Sequence, residues 1–296
     1  MIKLVMLVGI PGSGKSEVAR KYEKKGYKIH SSDELRRELY LDINNQNNNV
    51  KLFEILHKRI KNDLINGENV VYDATNISYK RRKNFIESLN KIECSKIALV
   101  IATPFNECIK RDKERERSVG NQVIDRMYKS FSMPSKMEGF NKINILYSNF
   151  NKEDYNIMNK ISFLRNINQF NTHHTLSIGN HCIKVRESLF DIKIATAGLL
   201  HDIGKQYTMS FKNSKGEYTD QAHYYSHENV SAYESMFYLK DQFTTEDIIY
   251  ICNLINFHMR PHLLTTEKSI NKLKRFLGED FYNDLMLLHE ADKNAK

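Results

Sequence analysis

The 296-residue chain is poor in the features that would place it outside a reducing, aqueous compartment. No apolar run approaches the ~18 residues that a membrane-spanning helix needs. The opening Met1-Ile-Lys-Leu leads straight into an apolar strand pattern instead of a secretory leader. The four cysteines, Cys94, Cys108, Cys182 and Cys252, have no paired spacing, which excludes a disulfide framework and predicts a cytoplasmic setting. With four prolines and twelve glycines there is no low-complexity linker, and no repeat points to a solenoid.

What is present changes along the chain. The net charge of +9 favours a polyanionic partner, although basic composition speaks to association and not to chemistry. Nine of the eleven histidines fall between His173 and His289, so the second half has a chemistry of its own. The length suits two domains, each with its own core. The polar stretch from Ser148 to Tyr155 is the best boundary, which predicts domains over 1–150 and 166–296 joined by a linker over 151–165.

The sharpest local signal is Gly9-Ile-Pro-Gly-Ser-Gly-Lys-Ser16, directly after the apolar run Ile2 to Val8. Gly9, Gly12, Ser13 and Gly14 let successive backbone N–H groups turn inward around phosphate oxygens. Lys15 can reach the β- and γ-phosphates, and the Ser16 hydroxyl can ligate Mg²⁺. This predicts ATP and Mg²⁺ as cofactors. Four more short apolar runs, Gly26 to His30, Asn69 to Tyr72, Lys96 to Ala102 and Lys142 to Leu146, are spaced for helical crossovers. They predict an α/β domain with a parallel sheet flanked by helices and ligands at the carboxyl ends of its strands.

Polar residues follow those strand ends. Asp33 and Arg36, three apart at a helix start, can face one cleft as proton acceptor and phosphate contact, or Asp33 or Ser32 can simply cap the helix. Asp73 can hold Mg²⁺ through water, contact the acceptor, or serve as a turn residue. It opens Asp73-Ala-Thr-Asn76, with Arg81 a few residues on. Arg111 and Arg115, four apart, can close over the transferring phosphate as one helix face, or belong to a solvated helix laced with ion pairs.

Together these positions resemble the polynucleotide kinase branch of the P-loop kinases over roughly residues 1–150. The resemblance implies that Asp33 is the general base and Arg36 an acceptor-phosphate contact. It matches Asp73, Thr75 and Asn76 to the family's Asp-x-Thr-Asn element, makes Arg111 and Arg115 the lid arginines, and makes Val123 to Lys129, with Phe131 and Pro134, the helix after the lid.

In the second half, Leu199-Leu-His-Asp-Ile-Gly-Lys205 sets His201 and Asp202 on an otherwise apolar helix, where burial is costly unless both bind something. A divalent metal such as Mn, Fe, Co, Ni or Zn suits imidazole and carboxylate together. His181 and Asp292 sit on other apolar segments, as facing helices of a bundle would place them. This half resembles the HD-domain phosphohydrolases over about 166–296, which implies an all-α bundle and a metal held by His181, His201, Asp202 and Asp292. His227 and His258 resemble the extra ligands of binuclear members, in which Asp202 would bridge two ions; His223 and His262 are close enough to leave that assignment open. His173, His174 and Lys205 are read as substrate-phosphate contacts. The two resemblances imply an end-healing enzyme: a 5′-hydroxyl kinase and a phosphoesterase acting on nucleic acid, RNA foremost, with a separate ligase as a further partner. Two rivals are a small-molecule kinase fused to a nucleotidase, and a kinase carrying a non-catalytic HD module that holds RNA.

Overall fold

The computed structural model describes residues 1–40, 48–172 and 175–295. They fall into two compact units, residues 1–127 with 134–149, and residues 128–133 with 150–296.

The first unit is built on β1 (Lys3–Val8), β2 (Lys28–Ser31), β3 (Val70–Asp73), β4 (Ser95–Ala102) and β5 (Lys142–Tyr147), all parallel in the order β2-β3-β1-β4-β5. The five predicted strands are therefore present, with ends shifted by one or two residues. β1 is central, and the chain winds to one side of it through β2 and β3 and then to the other through β4 and β5. A loop leaving the carboxyl end of β1 emerges at that reversal, where parallel sheets bind ligands. The helices are α1 (Lys15–Glu23), α2 (Ser32–Tyr40), α3 (Asn49–Ile65), α4 (Tyr79–Glu87), α5 (Phe105–Lys113) and α6 (Asn121–Tyr128). On α3, Leu52, Leu56, Ile60 and Leu64 recur every fourth residue and are all buried, so one apolar stripe fixes the helix on the sheet. On α1, Val18 and Ala19 join Val5, Leu7, Val71, Leu99 and Ile101 in one core cluster.

The second unit holds α7 (Ile157–Leu164), α8 (Ile178–Glu187), α9 (Ile192–Leu200), α10 (Lys205–Thr208), α11 (His227–Leu239), α12 (Thr245–Phe257), α13 (Glu267–Leu277) and α14 (Glu279–Asn294). Helical periodicity did not register one feature, the antiparallel hairpin of β6 (Ser210–Lys212) and β7 (Tyr218–His223). Residues 151–165, expected as a linker, contain α7, whose Ile161 and Leu164 are buried. Residues 128–133, expected with the first domain, pack in the second unit. There Tyr128 donates to the buried Glu234 carboxylate at 2.5 Å, Asn256 accepts from Met133 N at 2.8 Å, and Asn229 donates to Lys129 O at 2.9 Å. Among the described residues no helix is long and apolar enough to cross a membrane.

Candidate functional site

The phosphate loop joins β1 to α1. Gly12 and Gly14 have φ of 81° and 98°, and a Cβ on Gly12 would lie 2.2 Å from Cys108 O, so only glycine fits there. Lys15 folds back onto the loop, donating to Ile10 O at 2.9 Å, and burial pulls its pKa down against the opposing charge of Asp73. Asp73 ends β3 with its carboxylate beside the Ser16 hydroxyl and Lys15. Burial raises it, while Lys15 and Ser16 hold it down. That pairing sets a carboxylate beside the hydroxyl that would ligate Mg²⁺, and with Lys15 it gives the donor set a fit for a metal-bound triphosphate.

Ser31 Oγ accepts from the backbone N–H groups of Asp33 and Glu34 at 3.3 and 3.4 Å. Ser31 thus does the capping that had been weighed for Asp33 and Ser32. The Asp33 side chain is left exposed, with Arg36 Nη1 donating to it at 2.9 Å. Arg36 is itself buried, donates also to Asn49 Oδ1 at 2.9 Å, and keeps its Nε without a partner. Thr75 O accepts from Gly9 N, and the Asn76 amide donates to Leu7 O at 2.9 Å. Asn76 therefore pins the turn after β3 to β1, a positioning task. Arg81 is exposed on α4.

The lid arginines do not share a helix face. α5 stops at Lys113 and Arg115 lies in the turn beyond it. Arg111 donates to Glu107 at 2.8 Å and its guanidinium stands beside Gly14, while the charge of Arg115 helps to lower the Lys15 pKa. The turn is organised by Asp112, which the sequence reading passed over. Its buried carboxylate accepts from Ser118 Oγ at 2.6 Å and from the N–H groups of Val119 and Gly120. Arg82, next to Arg81, is also structural: fully buried, it pairs with Glu138 at 2.7 and 2.8 Å and donates to Asn76 O.

In the second unit six sequence-distant side chains converge. His181 lies on α8, His201 and Asp202 in the turn after α9 and not on the helix itself, His227 at the start of α11, His258 just past α12, and Asp292 on α14. His181 Nε2 and His201 Nε2 are 3.2 Å apart, with Asp292 Oδ1 at 3.0 and 3.5 Å and Asp202 Oδ2 at 3.4 and 3.3 Å from the two rings. On the other side of Asp202, Oδ1 faces His227 Nε2 at 3.1 Å and His258 Nε2 at 3.9 Å, and those two nitrogens are 3.2 Å apart.

Hydrogen bonding fixes the state of the rings. The Nδ1 atoms of His181, His201, His227 and His258 each face a backbone carbonyl, Ala295 O, Gly198 O, Tyr224 O and Ile255 O, at 2.7 to 3.1 Å. Carbonyls only accept, so Nδ1 carries the proton and the Nε2 lone pairs point at one another. Lone pairs 3.2 Å apart in a buried site repel unless a cation lies between them, and an Nδ1–H held by a backbone carbonyl is the bond that orients metal-ligating histidines. Asp202 Oδ1 is buried without a hydrogen-bond partner. With protons as the only cations present, burial opposes charge on His201, yet Asp202 and Asp292 outweigh it and push that imidazole up to about 10. Burial, followed by the charges of His201 and His227, pushes His258 well below its usual range. The donor set fits one or two divalent metals, with Asp202 presenting one oxygen to each position.

Of the alternatives, His223 bonds to Thr219 and stacks on Tyr225, away from the ligands, whereas His262 reaches Asp292 Oδ2 at 3.3 Å from an exposed position. Lys205, expected to meet substrate, is buried between Asp202 at 2.6 Å and Gln169 at 2.7 Å, so its charge offsets that of the Asp202 carboxylate. His173 and His174 lie outside the described residues. Sequence reasoning missed Gly204, where a Cβ would meet His227 O at 2.4 Å; its place inside the His-Asp-x-Gly-Lys run was the available signal.

The AAA domain family model matches residues 4–134 and the HD domain model residues 172–295. L-seryl-tRNA(Sec) kinase of Methanococcus maripaludis is 25% identical over 171 residues, 53% of this chain, and the chain spans only 64% of that protein's length. Among solved structures, the Pnkp1/Rnl/Hen1 RNA repair complex aligns at 22% identity and TM-score 0.40 over 44% of this chain and 43% of the other. A gluconokinase from Sinorhizobium meliloti aligns at 16% and 0.38 over 50% and 84%. The chain thus joins an N-terminal unit with the P-loop kinase fold, matched by the AAA domain model, to a C-terminal helical unit matched by the HD domain model.

Proposed function

We propose that the chain heals broken nucleic-acid ends, RNA foremost, phosphorylating 5′-hydroxyls with ATP and hydrolysing 2′,3′-cyclic phosphate or related 3′ phosphoester ends. The observation that carries this reading is the presence in one chain of a phosphate loop with an acid-base pair, Asp33 and Arg36, and a six-ligand centre built around Asp202. The similar L-seryl-tRNA(Sec) kinase has, by its name, a substrate carried on RNA, which is in keeping with a polymeric acceptor.

In the kinase step the acceptor oxygen bonds to the γ-phosphorus, the bond to the β-phosphate oxygen breaks, and Asp33 takes the hydroxyl proton. Arg36, held by Asn49, orients Asp33 through its Nη1. Lys15, Arg111 and Arg115 bring positive charge to the transferring group, and Ser16 with Asp73 would hold Mg²⁺. In the HD unit the six side chains would hold one or two divalent metals, which would supply Lewis acidity and an activated water. Lys205 balances the charge of Asp202, and the four backbone carbonyls keep the imidazoles in the tautomer that ligates. The products, a 5′-phosphate and an opened or removed cyclic phosphate, are ends for a separate ligase.

Incubation of an RNA bearing 5′-hydroxyl and 2′,3′-cyclic phosphate ends with ATP and a panel of divalent metals, followed by mapping of both ends, tests the reading. Conversion of both supports it. Phosphorylation of free nucleosides or of a seryl-tRNA in preference to the strand's 5′ end would transfer the kinase to another acceptor, and an inert cyclic phosphate with every metal would remove the phosphoesterase.

A further inference from the structure

Within the first unit a cavity of about 680 Å³ opens between α3, α4 and the carboxyl end of β3, inside the range of roughly 300–1,000 Å³ usual for small-molecule sites. Four rings, Phe53, His57, Tyr72 and Phe85, form part of its wall. His57 stacks on Phe85 with ring centroids 4.2 Å apart and planes 30° apart, Phe53 lies 6.1 Å from His57, and the Tyr72 hydroxyl is 3.0 Å from His57 Nε2. Lys58, Lys61 and Arg81 also line it, against one carboxylate, Glu54. Asn49, which accepts from Arg36, and Thr75 and Asn76, which follow Asp73, line it too. The cavity thus reaches a residue that holds Arg36 and the segment that follows Asp73.

An acceptor made only of hydroxyl groups would leave the faces of Phe53 and His57 and the apolar Met6, Val50 and Ile77 beside them uncovered. A flat heteroaromatic base joined to phosphates matches both the rings and the three cations. We infer that the cavity receives the nucleobase of the nucleotide that carries the acceptor hydroxyl, with Lys58, Lys61 and Arg81 meeting the phosphates that follow it. This rests on the proposed 5′-hydroxyl kinase reading and adds to it that the enzyme requires a base at the end it phosphorylates.

The test uses the full chain and short 5′-hydroxyl RNAs carrying 2-aminopurine at the first or the fourth nucleotide, without ATP. Fluorescence of the first base should be quenched on binding and that of the fourth much less, and Phe53→Leu, which keeps apolar bulk but removes the ring face, should weaken binding about 10-fold. Equal quenching at both positions, or binding indifferent to Phe53→Leu, overturns the inference. A variant-free arm compares phosphorylation of strands with a normal and an abasic first nucleotide by wild type. KM should rise about 10-fold or more for the abasic end, and the penalties of base removal and Phe53→Leu should not add, since both remove one interaction. Equal KM for the two ends overturns the cavity assignment while leaving the kinase reading intact. Quenching without phosphorylation of any strand does the reverse.

Discussion

Replacing Gly204 by alanine introduces a single methyl group where α10 meets α11, and the consequence can be worked from the surrounding atoms. The new Cβ would lie 2.4 Å from His227 O, 2.7 Å from Ser231 N and 2.8 Å from Ser231 Oγ. Two of the three are backbone atoms, so no flexible side chain can swing aside. Restoring an ordinary contact requires the start of α11 to retreat by about 1 Å, at the cost of about 1–3 kcal/mol typical of overpacking. For a unit of this size that lowers its melting temperature by roughly 3–10 °C. Because His227 is the first residue of α11, the same shift carries its Nε2 away from Asp202 and His258, and a displacement of that size at a reacting centre costs about 10²-fold in rate. Thermal denaturation with and without added metal, together with hydrolysis of a cyclic phosphodiester and 5′-phosphorylation by the same preparation, measures all three quantities. Gly204→Ala should be destabilised and slow in hydrolysis with phosphorylation retained. A variant as stable and as active as wild type would refute the packing argument.

Arg82→Met alone should cost about 3–5 kcal/mol in urea unfolding, because it strands the buried Glu138, whereas Arg82→Met with Glu138→Leu should recover most of that; a single variant within 1 kcal/mol of wild type would contradict this. Burial, aided by the Lys61 charge, lowers His57 from 6.5 to about 4, so between those values the unfolded chain binds more protons and stability rises with pH. That contribution is complete above pH 6.5 and fades as pH falls through about 4. Discounted for solvent reaching the ring, it amounts to about 1–2 kcal/mol. An NMR titration of His57 with a midpoint near 6.5 would refute it. Oligonucleotide binding should weaken with salt at a slope of about −0.7 per backbone contact on logarithmic axes, and a slope near zero would show that the +9 charge is compositional only.

Much of the first unit was legible because its signals are local. Strand runs, turn residues and the phosphate loop are each set by a few neighbouring residues, and the crossover spacing then leaves few parallel topologies. The metal ligands were legible by type, since a His-Asp doublet on an apolar segment is hard to bury for any other reason. Their grouping was not, because Asp202 faces two pairs of rings only once α8, α11, α12 and α14 are packed around it. Sequence also could not separate Asp33 from its neighbours as a helix cap, a choice made by the Ser31 hydroxyl, nor reveal that Arg115 falls past the end of α5, where Asp112 gathers the N–H groups of the following turn. The burial of Lys205 is out of reach of the sequence for a similar reason: its partners, Asp202 and Gln169, are 3 and 36 residues away, and enclosure between them is a tertiary outcome. The hairpin of β6 and β7 is too short to leave a clear period of its own.

The central claim, that two independent sites on this chain act on opposite ends of one broken strand, is tested most directly by mapping both ends of a single RNA after incubation with wild type, Lys15→Ala and Asp202→Ala. Lys15→Ala should leave the 5′-hydroxyl untouched while still opening the cyclic phosphate, and Asp202→Ala should phosphorylate the 5′ end while leaving the cyclic phosphate closed. Loss of both reactions in either variant, with its fold intact, would contradict independent sites, and a wild-type protein that alters neither end would contradict the claim altogether.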